Sequence, residues 1–280
     1  MGSIKFARAV AGRAKPLLKT AREVEDRAKT GGQLAVLAGA PKLTAALERL
    51  LGIAAGRVPG DGALLVYAAG GGADTTAAAE TLSRHKSRGG RVCALLVGGA
   101  EEHGALEAIV LAAAPLELSD TVRVESLAGD GGDAARTAVI LALGDDAVAA
   151  GRANVTLREP VARLLIDRAS KRSAAVGAAG FLPGAEFPVL LAQQVRLVSQ
   201  LSALHDRPAG RARTAEIAGV VAAGYGWRAL ARRATSRVPG AGLALRSGFA
   251  YGATRSAGEA ALKTFSGAPK GAAPRKRTSD

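Results

Sequence analysis

The sequence predicts an α/β domain followed by an all-α one. The first is a parallel sheet of about four strands with crossover helices, and the second a four-helix bundle rich in glycine and alanine. Three observations predict it. Short apolar runs alternate with helically spaced stretches up to about residue 150, the pattern of a parallel sheet with helical crossovers. From Pro160 onward the apolar period is helical throughout. Formal charge reverses near the same point. Residues 61–150 carry six basic and thirteen acidic side chains, net −7, whereas residues 151–265 carry seventeen and six, net +11, which marks a domain boundary. The predicted organisation is a basic N-terminal helix within 1–30, the α/β domain over 31–150, the bundle over 151–265, and a disordered basic tail over 266–280.

The elements of the first half follow from local pattern. Gln33 to Ala38 is an apolar run ending at Gly39, as expected of a buried parallel strand. Leu43, Leu47, Leu50 and Leu51 then share one helix face. Ala63–Ala68 is a second strand with Gly70-Gly71-Gly72 as its turn, and Asp74 caps the helix that ends near Lys86. Arg91–Val97 is a third strand, followed by a helix over about 104–113. Thr121–Ser126 is a fourth, followed by a Gly/Asp loop and a helix over 133–143. Successive right-handed crossovers moving in one direction place three helices on one face. The last helix and the basic N-terminal helix, about 16–29, are left to cover the other.

In order and spacing these elements resemble the G domain of Era- and Der-like bacterial GTPases. Gln33 to Gly52 resembles the P-loop strand and first helix, and Asp61 to Gly70 the strand after the second switch. Val92 to Glu101 is similar to the strand that ends in the guanine-reading motif, and Val122 to Leu127 to the strand that ends in the Ser-Ala loop. The groups that perform the chemistry are replaced. A working P-loop, G-x-x-x-x-G-K-[ST], cradles phosphates with backbone N–H groups, reaches them with Lys and holds Mg²⁺ through the hydroxyl. Here Gly39-Ala40-Pro41-Lys42-Leu43-Thr44 has no second glycine and no adjacent Lys-Ser/Thr. Gly39, Lys42 and Thr44 are therefore vestigial P-loop positions, Lys42 a solvated side chain and Thr44 an early-helix residue. Gly98-Gly99-Ala100-Glu101 stands in the guanine-reading place, and the interval between Gly52 and Asp61 is too short for switch segments. The resemblance implies a pseudo-GTPase in which two strands have been lost together from one sheet edge.

Apolar residues stripe the predicted helices of the second half, at about 160–178, 186–205, 213–236 and 241–265. The second of these has Arg196 as its lone interior charge and belongs at the centre of the bundle. Gly240, Ala244, Gly248, Gly252, Ser256 and Ala260 recur every four residues, as do Ala215, Gly219 and Ala223. Small residues let backbones approach closely, so this register points to a tight crossing, a membrane-adapted surface, or both. This half resembles the domain of unknown function that follows Era-like G domains and occurs in YcjF-type inner-membrane proteins. The landmarks are Pro183 and Gly184 with Glu186, Arg196 within Gln194–Val198, Gly224 and Gly226 with Arg228, Pro239, Gly240 and Gly242, and Gly258 with Phe265. It implies membrane-associated company but no reaction.

Composition narrows the function further. One cysteine excludes a disulfide framework and a multi-cysteine zinc site. The longest charge-free stretch, Ser173 to Ala185, has 13 residues against roughly 18–20 for a spanning helix. A cytoplasmic protein, or one peripheral to the inner membrane, is expected. The sequence pI near 10.7 invites phosphate binding. Yet nine aromatics offer little base stacking, and no zinc-finger or RNP-like motif is present, so no sequence-specific nucleic-acid partner is expected. Anionic membrane surfaces are the stronger attraction. Gly70-Gly71-Gly72 reads as a turn rather than a phosphate nest, Asp130 and Asp133 as turn and cap residues, Cys93 as a small core residue. His85, His103 and His205 lack metal spacing. No catalytic residue, cofactor or metal is assigned. The expected function is a non-enzymatic docking platform for a protein partner, a membrane partner or a membrane surface. A nucleotide-responsive switch at 39–44 or 70–75 and a nonspecific nucleic-acid binder are the alternatives.

Overall fold

The computed structural model describes residues 19–29, 32–37, 39–56, 60, 62–70, 76–178, 186–207 and 242–267. The chain divides into two compact units, one formed by Arg22–Leu164 and the other by the residues from Leu165 onward with the N-terminal ones up to Ala21.

The first unit is built on a four-stranded parallel sheet in the order β1-β2-β3-β4, with β1 at Leu34–Val36, β2 at Leu64–Gly70, β3 at Arg91–Val97 and β4 at Thr121–Val124. Helix α1 covers residues 19–29. The crossovers are α2 (Pro41–Leu51), α3 (Thr76–Ser87) and α4 (Ala100–Ala113), and α5 (Gly129–Leu143) and α6 (Ala147–Ala153) follow β4. All seven residues of β2 are buried, as a central parallel strand covered on both faces requires.

The helices are shared two and two between the faces, not three and one as the uniform-crossover rule predicts. Ala35, Leu65, Tyr67, Ala69, Val92, Ala94 and Leu96 form one core with Ala78 and Leu82 of α3 and Leu106 and Val110 of α4. The alternate residues face α2 and α5. A Cβ on Gly70 would lie 2.8 Å from Leu43 Cδ1 of α2, and Arg91 donates to the carbonyls of Ala142 and Leu143 at the end of α5 at 3.3 and 3.0 Å. Arg136 Nε of α5 donates to Leu50 O of α2 at 3.4 Å. The strands run in one direction and each neighbours the next, so the β1–α2–β2 crossover has the opposite hand to the other two.

The segment after α2 supplies the physical reason. Ala55 forms a parallel bridge with Val36 on the side of β1 away from β2, and Gly56 N–H donates to Val36 O at 3.1 Å. The chain therefore leaves β1 through α2 toward the outer edge and only then returns to β2. Counted to Ala55, the crossover has the same hand as its neighbours, as strand twist demands. Glu48 fixes this detour by accepting the Ala55 N–H at 2.7 Å.

Helix α7 runs from Val155 to Ala178 with Pro160 inside it, five residues ahead of the predicted start. Proline suits the first helical position, which is why the sequence places the start there. Asn154 overrides that signal. Its Oδ1 accepts the Thr156 N–H at 2.9 Å, and its Nδ2 donates to Leu51 O at the end of α2, so one amide caps α7 and closes α2.

The second unit contains α7 from Leu165, α8 (Glu186–Leu204) and α9 (Gly242–Ser266). Leu191, Gln194, Val195, Leu197, Val198 and Leu201 are buried, which puts α8 at the centre as its apolar circumference predicts. The predicted helix at 213–236 lies outside the described residues.

Gly52 ends α2 in the left-handed region at φ 68°, and a Cβ there would lie 2.5 Å from Thr156 Oγ1. Gly52→Ala is expected to cost about 1–3 kcal/mol of stability, measured by urea unfolding. Gly99→Ala, with nothing within 4 Å of the new methyl, is expected to stay within about 0.5 kcal/mol of the parent.

Candidate functional site

The turn over Gly39–Thr44 links β1 to α2. Pro41 occupies the first turn of α2, no acidic residue follows, and Ala40 before it offers no side-chain cap. The turn closes on itself instead. Gly39 N–H donates to Thr44 Oγ1 at 2.9 Å, and Thr44 N–H to Ala40 O at 2.9 Å. The Thr44 hydroxyl is thus an acceptor inside the turn. Tyr67, 1% exposed, lays its ring against Gly39, where a Cβ would meet Cε2 at 2.9 Å. Leu43 lies over Gly70 at the end of β2. Lys42 is exposed. Gly39 and Thr44 are brought together, and an aromatic ring and an aliphatic side chain pack beside them. Periodicity gave no sign of this, because both Tyr67 and Leu43 read as ordinary core residues.

The Gly98–Glu101 segment after β3 is likewise taken up by the start of its own helix. Gly98 N–H donates to Val124 O at 3.1 Å, and Gly99 N–H to Glu102 Oε2 at 3.3 Å, so Glu102 caps α4. Glu101, Glu125 and Asp130 are exposed near these strand ends. At the C-terminal edge of an open α/β sheet, where ligands bind in this class of fold, such carboxylates repel phosphate. In the loop after β4, Ser126 Oγ donates to Ala128 O at 2.8 Å. Asp130 lies in the first turn of α5, and Asp133 in the next pairs with Arg136. Asp74 and residues 71–75 lie outside the described residues.

The remaining titratable groups serve structure. His85 and His103 are buried and donate through Nε2 to Ala63 O at 3.0 Å and Val124 O at 3.2 Å, pinning α3 and α4 to strand ends. His205 uses Nδ1 on Leu201 O at 2.9 Å. A hydrogen bond from Arg123 holds the Glu107 carboxyl below its ordinary value. Among the described residues no cluster of His, Cys, Asp or Glu could hold a metal ion.

Of the bundle landmarks, Pro183, Gly184, Gly224, Gly226, Arg228, Pro239 and Gly240 lie outside the described residues. Glu186 and Gly242 begin α8 and α9. Arg196 is exposed. Gly258 is the close approach: a Cβ would lie 2.8 Å from Ile166 Cγ1 and 3.1 Å from Leu197 Cδ2, where α9 meets α7 and α8. Gly248 and Gly252 have nothing within 4 Å of that position, and Ser256 and Ala260 are exposed. At these positions the described residues place no neighbouring helix. What ties the helices is a polar chain that no spacing announced. Thr254 Oγ1 donates to Ser173 Oγ at 2.9 Å, which donates to Gln193 Oε1 at 3.0 Å, so α9, α7 and α8 share one buried network.

Two outcomes check these assignments. Burial, reinforced by Asp120, pushes the Cys93 thiol from 9.0 up to about 12. A folded value above the unfolded one means that the thiol's contribution to stability is intact below about pH 9 and is lost as pH rises toward 12. Native Cys93 should resist Ellman's reagent at pH 8 and react on unfolding. Ser173→Ala strands the buried Thr254 hydroxyl and is expected to cost about 1–3 kcal/mol. Ser202→Ala, which removes a buried hydroxyl without a hydrogen-bond partner among the described residues, should be neutral or stabilising in the same melts.

Among the described residues no helix is long and apolar enough to cross a membrane. The chain matches no protein-family model, no curated protein and no solved structure.

Proposed function

We propose that the chain is a non-enzymatic docking protein: a degenerate, Era/Der-like G module that serves as a rigid platform, joined to a helical unit that meets a membrane surface or a partner at the membrane. The observation that carries the first half is the closed turn at Gly39–Thr44. Its backbone N–H and hydroxyl are spent on each other, and Tyr67 and Leu43 pack against glycines at its base. A phosphate entering there would have to break that hydrogen bond.

The detour at Ala55 supports the family reading. It lies within the interval, Gly52 to Asp61, where the resemblance implies that two edge strands were lost. One bridge on the outer side of β1 is what a shortened chain would retain. The formal charge of +14 favours anionic surfaces over neutral ones, and supports the membrane half.

Calorimetry of the full chain with GTP, GDP and ATP at millimolar ligand and Mg²⁺ is expected to show no binding heat. Saturable heat with any of them would make the protein a nucleotide-responsive switch. Flotation with vesicles containing anionic lipid is expected to recover the chain at low salt and to lose it at high salt, since charge-driven binding is screened over about 10 Å at 0.1 M. No recovery at any ionic strength removes the membrane half of the proposal.

A further inference from the structure

We propose that the face of the second unit on which Lys171 of α7 and Arg255 of α9 flank Tyr251 is the surface that the chain lays on an anionic lipid bilayer. The inference rests on the membrane half of the reading above and names the side chains that make the contact.

Two helices build this face. Arg255 Nη1 donates to the Tyr251 hydroxyl at 2.9 Å, one turn back on α9. Lys171 of α7 stands near the same phenol: its ammonium is held above its ordinary value first by hydrogen-bonded Asp167 and also by Tyr251. Both cations are well exposed, their side chains at 70% and 51%, and Asp167 and Glu259 pair with them at 2.7 and 2.9 Å. Each pair lies within one helix and in solvent, where such contacts are weak, so lipid phosphates compete for both cations. Arg168, one turn before Lys171, and exposed Arg172 beside it add two further charges on α7. Ala175, one turn after Lys171, is exposed and uncharged.

The charge balance selects the occupant. From Leu165 onward the described residues of this unit carry eight basic and four acidic side chains, net +4, and residues 208–241 of the sequence add six and one, net +5. Residues 61–150 of the first unit are net −7, so an anionic bilayer attracts the second unit and repels the first. Duplex nucleic acid also offers phosphates, and the uncharged part of the face separates the two. A tyrosine, with an apolar body and a polar tip, suits the headgroup level of a bilayer. A helix flank with exposed alanine bordered by cations lies flat in the same layer. A phosphate backbone has no use for either.

The probe is a vesicle of phosphatidylcholine and phosphatidylglycerol, floated with the full chain at low salt. Lys171→Glu combined with Arg255→Glu is expected to raise the lipid needed for half recovery by about tenfold or more. Arg84→Glu combined with Arg88→Glu makes the same charge change at exposed positions of the first unit, and is expected to shift it by less than about threefold. A polarity-sensitive dye on Ala175→Cys should move to shorter wavelength when vesicles are added, and the same dye on exposed Ala105→Cys of α4 should not. Buried Cys93 stays unlabelled in both. The dye keeps the test open if circular dichroism shows that the charge-reversed variant has unfolded. A folded double variant that floats as well as its parent, or a dye that responds at 105 and not at 175, overturns the face and leaves the membrane reading standing. No flotation of the parent removes both. Binding of the parent to a DNA duplex without flotation would assign these cations to nucleic acid instead.

Discussion

A parallel sheet buried on both sides needs a layer of helices on each, and this one has four principal helices to divide between two faces. The division depends on α2. Had it followed α3 and α4, the α5 face would have had one helix against four strands. By crossing toward the outer edge of β1 before turning back, the chain puts α2 beside α5, and Leu47, Leu50 and Leu51 are buried with Val139, Ile140 and Leu143. Glu48 at the detour, Arg136 on Leu50 O and Asn154 on Leu51 O all hold the end of that helix.

The same placement governs the turn between β1 and α2. With the helix over β2, Leu43 is drawn onto Gly70, and the opposite face of the sheet sends Tyr67 against Gly39. The turn is bound by its neighbours as well as by its own hydrogen bond. An apolar side chain and an aromatic ring packed at this point make it a core corner, and opening it would expose both.

Much of this was legible from residue order. The four strands follow from their apolar runs because a doubly buried parallel strand has no polar face to dilute the signal, and all four lie within a few residues of their expected positions. The hand of the first crossover was not legible. Periodicity reports that a helix has an apolar face but not which side of a sheet that face will meet, and the deciding contact, Ala55 on Val36, is a single residue pair. The start of α7 was hidden for a different reason. Pro160 is a strong local sign of a helix start, while Asn154 acts through a carbonyl more than a hundred positions away in the chain. In the candidate site, a turn from Gly39 into a helix at Thr44 could be read from the sequence, but the side chains that pack there could not. The close approach at Gly258 lies off the four-residue register of Gly248 and Gly252, which spacing alone does not single out.

The glycines of α9 have a thermodynamic consequence. Gly248 and Gly252, which meet nothing within 4 Å among the described residues, each forfeit roughly 0.8–1 kcal/mol of intrinsic helicity. Gly258, by contrast, offsets its own deficit where it touches Ile166 and Leu197. Near the other end of the described helix Phe265 is buried and covered by Arg207 at 5.2 Å. Transient fraying of a helix starts where propensity is lowest and spreads until it meets a packed residue; from residue 247 onward the first buried ones are Ala250, Ala253 and Thr254.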